Sequence, residues 1–309
     1  MKKYLAPLSG LVLAFIATAQ NYQKIVLDKN DAERGYYFAI PPQDEVKGVL
    51  VLFPGYAETP EMVLPEKKLH NTAFTNNLMT LVIPIGAKIY ADEPTLSAIN
   101  RALTDSIKRF RLDNKKMVVG GFSAGGTIAL RYAEKCMERP GDFPIEPKAV
   151  FAVDSPVDII NLFGYFYRER AKNFSEAGVN EANFVQPIME KELGGTPATN
   201  LKNYIANSPF YAASNEPGNE RFLKNTAVRV YHDMDVVWQL QNRRRSLYDN
   251  NALCSSELIN RLLLMGNDKA AFVQSDRKGY RSNGMRHTHS WSIVDEVECI
   301  QWIKEVLNI

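Results

Sequence analysis

A serine hydroxyl is a poor nucleophile at neutral pH. It needs a base within hydrogen-bond reach, and the base needs a carboxylate to orient it. The segment Gly121-Phe122-Ser123-Ala124-Gly125 sets a serine between two glycines. It follows the apolar run Met117–Val119 directly and precedes a stretch rich in Ala, Leu and Ile, residues 124–137. A strand feeding a helix through so sharp a turn tolerates only small neighbours. The turn lifts the hydroxyl out of the sheet and points the free N–H groups of the helix start at developing negative charge. The string alone is common, and its placement is what carries the reading against a glycine-rich turn with no chemistry.

The chain holds four histidines. His70 lies upstream in a helical or loop stretch and reads as ordinary. His232 ends a strand and reads as a packed or supporting residue. His287 and His289 share a polar loop, Arg281 to Ser290, just before the last helix. Candidate acids are Asp233 and Asp235, after the run Val228–Tyr231, and Asp154, after Ala149–Val153. Asp154 precedes Ser155-Pro156 and reads rather as a turn residue. Cysteines 136, 254 and 299 cannot all pair. A Cys254–Cys299 bridge is conceivable, and three buried free thiols is the plainer reading. No spacing of His, Cys or Asp suggests a metal site.

The elements that must position these residues follow a rhythm. Residues 22–27 and 36–40 read as an opening pair of strands, ended by Pro41-Pro42. Runs 49–53 and 80–85 read as strands buried on both faces, 117–119 as the next buried strand, and 149–153, 228–231 and 271–274 as further strands. Between them lie helical patterns at 94–111 and 124–137, and an amphipathic helix closes the chain at 293–307, with Ser292 and Asp295 as a capping box. This alternation implies a doubly wound, mostly parallel sheet flanked by helices. The rhythm breaks at about 157–211, which reads as a helical cap insertion. Its aromatics Phe163, Tyr165, Phe166 and Tyr167 either line a pocket or form the insertion's own core.

With the Gly121–Gly125 elbow, an acid after a late strand and histidine before the final helix, the chain resembles the α/β-hydrolase family over nearly all of residues 20–309. The resemblance implies a triad in the order Ser, Asp or Glu, His. His289, followed by Ser290-Trp291, takes the base position, with His287 as the alternate. Asp235 fits the acid's usual spacing, although His232 stands where the family has glycine. Asp233 is the alternate and Asp154 a third option. The oxyanion donors implied are the N–H of Ala124 and, from the Pro54-Gly55-Tyr56 loop, that of Tyr56. The activity implied is cofactor-free hydrolysis of a carboxylic ester, of a small molecule or carbohydrate. A serine peptidase of the same fold and a non-catalytic binding protein on the same scaffold are the competing readings. A free-amine site on a peptidase would need an acidic pair; Glu169 is one candidate without a convincing partner.

The N-terminus reads separately. Lys2 and Lys3, an apolar stretch from Tyr4 to Ile16 and Ala17-Thr18-Ala19 match a cleaved signal peptide, residues 1–19, and imply a secreted or periplasmic protein beginning at Gln20. Removing that segment loses two lysines and no acid, which takes the formal charge from +2 to zero. A neutral chain is a poor match for nucleic acid or anionic lipid. No later segment is apolar enough for a membrane span.

Overall fold

A computed structural model describes residues 20–309; the expected signal segment, 1–19, lies outside them. One sheet holds β1 (Gln23–Val26), β2 (Tyr36–Ile40), β3 (Gly48–Phe53), β4 (Leu78–Val82), β5 (Met117–Phe122), β6 (Ala149–Val153), β7 (Ala227–Asp233) and β8 (Ala270–Ser275). The order across it is β1-β2-β4-β3-β5-β6-β7-β8. The expected opening pair β1–β2 is antiparallel, as is β2–β4; every pairing from β4 to β8 is parallel. The chain therefore forms the mostly parallel, helix-flanked sheet that the alternation implied.

The apolar runs have a direct cause. In β3, Val49, Val51 and Phe53 pack into the core on one face of the sheet, while Leu50 and Leu52 pack into the core on the other. A strand with dry layers on both faces must be apolar throughout. Each such side chain contributes roughly 1.5–3 kcal/mol by leaving water.

Three element boundaries differ from the sequence reading. β5 continues through Gly120 and Gly121 to Phe122. A Cβ at Gly120 would stand 2.0 Å from the Phe151 ring, so the glycine there meets a packing need and does not mark a strand end. β4 stops at Val82, short of Ile85. The closing helix is Glu296–Leu307, with Asp295 as its N-cap accepting from Val297 and Glu298 N–H. Trp291–Ile293 forms a separate 3-10 turn, and the Ser292 hydroxyl bonds the Tyr280 carbonyl at 2.7 Å, so no Ser292–Asp295 capping box forms.

Between β6 and β7, the stretch expected to be a helical insertion forms three helices, Ile159–Lys172, Glu176–Glu192 and Pro197–Asn207. Asp158 and Ser175 cap the first two. They share an apolar cluster of their own, with Tyr165, Phe166, Met189 and Tyr204, which also takes in Ile89 and Tyr90 from the loop after β4. Glu192 ties that loop down by bonding the Tyr90 hydroxyl at 2.5 Å and Lys88 at 2.9 Å. The helix Asn251–Leu264 and two short ones, Pro60–Glu66 and Leu69–Thr75, complete the layers around the sheet, and the sequence pattern did not single them out. Among the described residues no helix is long and apolar enough to cross a membrane.

Topology fixes where chemistry can be done. β3 has β4 on one side and β5 on the other, so the winding reverses there. In open α/β sheets, ligands bind outside the carboxyl ends of the strands at such a reversal. Phe122 registers with Val153, and Val153 with Tyr231. The next row is therefore Ser123 and Asp154, each one residue past its strand, and His232, the penultimate residue of β7.

Candidate active site

Ser123 sits at the junction of β5 and the helix Ala124–Glu138 with φ of +53°, a conformation costly for a residue with a side chain. Its surroundings enforce it. A Cβ at Gly121 would lie 2.3 Å from the Gly125 backbone, and one at Gly125 would lie 2.2 Å from the carbonyl oxygens of Phe53 and Pro54. Both glycines of the motif are thus required by contact. Ser123 N–H donates to Val153 O at 2.9 Å, which locks the turn to β6.

The Ser123 hydroxyl lies 3.0 Å from His289 Nε2, and His289 Nδ1 lies 2.7 Å from Asp154 Oδ2. His289 is therefore the histidine that meets the serine, as expected, and Asp154 is the carboxylate that meets the histidine. The second oxygen of Asp154 faces His232 Nδ1 at 3.1 Å, and Asn251 Nδ2 donates to Asp154 O at 2.9 Å. Burial pushes the Asp154 carboxyl up, but attraction to His289 in its protonated form and the hydrogen bonds from His232 and His289 outweigh it and hold the group well below the usual carboxylate range. An ionised carboxylate only accepts hydrogen bonds, so both facing ring nitrogens carry their protons. In the neutral imidazole His289 Nε2 is then bare and can accept from the Ser123 hydroxyl. His232 is stacked on Phe272 at 5.2 Å, and its Nε2 is buried with no partner among the described residues.

Asp235 and Asp233 do not occupy the expected place. Asp235 caps the turn Val236–Trp238, accepting from Trp238 N–H at 3.0 Å, and pairs with Arg286 Nη2 at 3.0 Å. Asp233 is buried and accepts from Arg277 N–H at 3.0 Å and Gly279 N–H at 2.9 Å, with Arg286 Nη1 at 2.8 Å. Both acids are taken up in holding the loop that carries the histidines. The expectation of Asp235 beside His289 is corrected for that reason. The alternate histidine, His287, accepts from His289 N–H at its own Nδ1, 3.1 Å away. Burial, then the charge of His289, pushes its pKa down to about 3, so it is a neutral imidazole with its proton on Nε2.

Tyr56 and Ala124, the expected oxyanion donors, both border the cavity that Ser123 opens into. Among the described residues neither N–H meets an acceptor. The Tyr56 loop is held by Glu58, which accepts from Gly55 N–H at 2.7 Å. The cavity measures about 330 Å³. Tyr165 and Phe166 line it and also belong to the insertion's own apolar cluster, so both readings of these aromatics apply to them. Phe163 only packs against that cluster, and Tyr167 is exposed. Glu169, the one candidate for a free-amine site, does not border the cavity. All three cysteines are free and buried, with no Cys254–Cys299 bridge. Among the described residues no group of His, Cys, Asp or Glu is placed to hold a metal ion.

The sequence matches no protein-family model and no curated protein. Solved structures do resemble it. A carboxyl esterase from the fungus Tuber melanosporum superposes with a TM-score of 0.57 at 13% identity over 97% of this chain and 87% of that one. An S-formylglutathione hydrolase from Agrobacterium tumefaciens gives 0.57 at 14% identity over 94% and 98%. The fluorophosphonate-binding serine hydrolase F of Staphylococcus aureus gives 0.56 at 13% over 94% and 100%. The chain has the α/β-hydrolase fold. Its structural neighbours are hydrolases, and the serine, histidine and carboxylate at its carboxyl edge stand within hydrogen-bond reach of one another.

The sequence reading missed the pairing of Asp154 with two histidines. The signal for it was present in the register, since Asp154 follows β6 just as Ser123 follows β5. It also missed the arginines around the cavity, which sit far apart in the chain.

Proposed function

We propose that the protein is a serine hydrolase that cleaves a carboxylic ester through an acyl-enzyme. The observation that carries this reading is the unbroken relay from the Ser123 hydroxyl through His289 to Asp154 at the floor of a cavity. Ser123 Oγ attacks the ester carbonyl as His289 Nε2 takes its proton. The carbonyl oxygen gains the negative charge, and the N–H groups of Tyr56 and Ala124 stabilise it. The tetrahedral intermediate collapses, the C–O bond to the alcohol breaks, and the alcohol leaves with the proton from His289. Water then attacks the acyl-Ser123 carbonyl, giving its proton to His289, and the acid departs as Ser123 recovers its proton. Asp154 stays ionised throughout and stabilises the imidazolium. Oxyanion donors of this kind are each worth roughly 3–4 kcal/mol of barrier.

The helices between β6 and β7 act as a cap in this account, supplying Tyr165, Phe166 and Phe184 to the cavity wall. The segment 1–19 is proposed to be removed on export. Mixing the protein with an activated ester and quenching early tests the chemistry. A mass increase equal to the acyl group, on the peptide containing Ser123 and absent in Ser123→Ala, is expected. Turnover of the ester by Ser123→Ala at the wild-type rate would overturn the proposal.

A further inference from the structure

The wall of the same cavity carries charge that the hydrolytic machinery does not use. Arg243, Arg245 and Arg281 all border it, together with His287. Their partners divide them sharply. Arg281 is engaged by Glu66 at 3.3 Å and lies over the Phe122 ring. Arg245 bonds the Tyr165 hydroxyl and stacks over that ring at 4.4 Å, but its Nε is buried without an acceptor. The Arg243 side chain forms no hydrogen bond or ion pair among the described residues. It ends the π-helical turn Gln239–Arg243, an uncommon geometry that recurs at functional sites.

The acids along the wall do not answer these cations. Asp249 is taken by Arg168 at 2.7 Å and Lys172 at 2.5 Å. Asp158 accepts from the N–H groups of Ile160, Asn161 and Ala212. Glu181 is exposed on its helix, forms no ion pair with Arg243 or Arg245, and attracts Arg243 only at longer range. Burial lowers the Arg243 pKa and the neighbouring Arg245 and Arg281 lower it further, only partly opposed by Tyr165 and Glu181. Withdrawing a guanidinium even partly from water is unfavourable unless an anion compensates. A guanidinium without a partner, beside a second whose Nε lacks an acceptor, offers an anion site, and the planar fork of arginine fits a carboxylate or phosphate in two-point contact.

We propose that the cavity selects esters bearing an anionic group, a carboxylate or a phosphate, with Arg243 as the principal partner and Arg245 beside it. His287, its Nδ1 already occupied by His289 N–H, has only a donor left to offer. The cavity of about 330 Å³ lies at the small end of ligand pockets and suits a short ester. This inference rests on the hydrolase reading above and adds the substrate class to it.

The test compares kcat/KM within pairs: monoethyl succinate against its uncharged isostere, and acetoxybenzoate and acetoxyphenyl phosphate against phenyl acetate. The pairs separate an acyl-side from an alcohol-side anion, and carboxylate from phosphate. At least one anionic ester is expected to lead its uncharged partner by about 10-fold. That ratio should fall to near unity in Arg243→Gln and survive in part in Arg243→Lys. In parallel, benzoate and inorganic phosphate are tested as competitors of fluorophosphonate labelling at Ser123. One of the two is expected to slow labelling of the wild type and to have no such effect on Arg243→Gln. Ratios near unity throughout, with labelling indifferent to both anions, would overturn the anion site while leaving the serine hydrolase intact. A wild type that neither labels nor turns over any ester would remove both readings together.

Discussion

The ends of β6 and β7 are neighbours in the sheet, and each presents carboxylates to the same loop, yet they do different work. Asp154, after β6, faces two imidazoles and stands beside the serine in the row. Asp233 and Asp235, at and just past the end of β7, face backbone N–H groups and the two ends of one guanidinium, that of Arg286. One strand end carries the carboxylate of the proposed proton relay. The next sets the loop that brings His289 to it. The contrast teaches that a carboxylate's role follows from what faces it across the sheet, and that its spacing from a motif along the chain is a weaker guide.

The largest expected effect separates the two ends directly. Asp154→Asn should lower kcat by about 10³–10⁴-fold, because the amide can no longer hold the His289 tautomer that leaves Nε2 bare. Asp235→Asn, which keeps the shape of the cap, should change kcat by less than about 10-fold, since a neutral cap still accepts a hydrogen bond. Parallel steady-state assays check both, and equal losses would erase the distinction. Next in size, Arg286→Met leaves the Asp233 carboxylate buried without its cation. It should cost about 3 kcal/mol of stability by urea unfolding. A midpoint unchanged from wild type would show that the backbone donors alone satisfy Asp233.

His232→Phe tests the far side of the relay. The phenyl ring can keep the stack on Phe272 but removes one hydrogen bond from Asp154. A fall in kcat of about 10-fold with KM unchanged is expected, as for the loss of one charge-assisted hydrogen bond. The last test concerns pH and falls on His287, away from the reacting atoms. Its pKa is lowered to about 3 in the folded chain against about 6.5 unfolded, so between these values the unfolded chain binds the extra proton. Stability from this group is present above pH 6.5 and is lost as the pH falls toward 3. His287→Gln should therefore flatten the dependence of the urea midpoint on pH in that window. An unaltered slope would count against a buried neutral imidazole there.

The sheet and the serine turn were legible because local patterns specify them. Two-sided burial forces apolar runs, and the contacts of Gly121 and Gly125 force small residues around Ser123. His289 was legible because only one loop before the last helix offers histidine. The acid was not, since three aspartates follow strands and nothing local to Asp154 distinguishes it from a turn residue. Its partner histidines lie 78 and 135 residues away. Only strand register brings them together. The arginines escaped for a related reason. Arg243 and Arg245 sit in a segment with no strong periodicity, and their meaning comes from the absence of local partners, which a sequence does not display.

Labelling of the purified protein with a fluorophosphonate probe, read by intact mass, tests the central claim most directly. The account predicts one adduct per chain on wild type, none on Ser123→Ala, and strongly slowed labelling of Asp154→Asn while Asp235→Asn labels at close to the wild-type rate. A folded wild type that takes no adduct would contradict it, and so would an Asp154→Asn variant that labels as fast as the wild type.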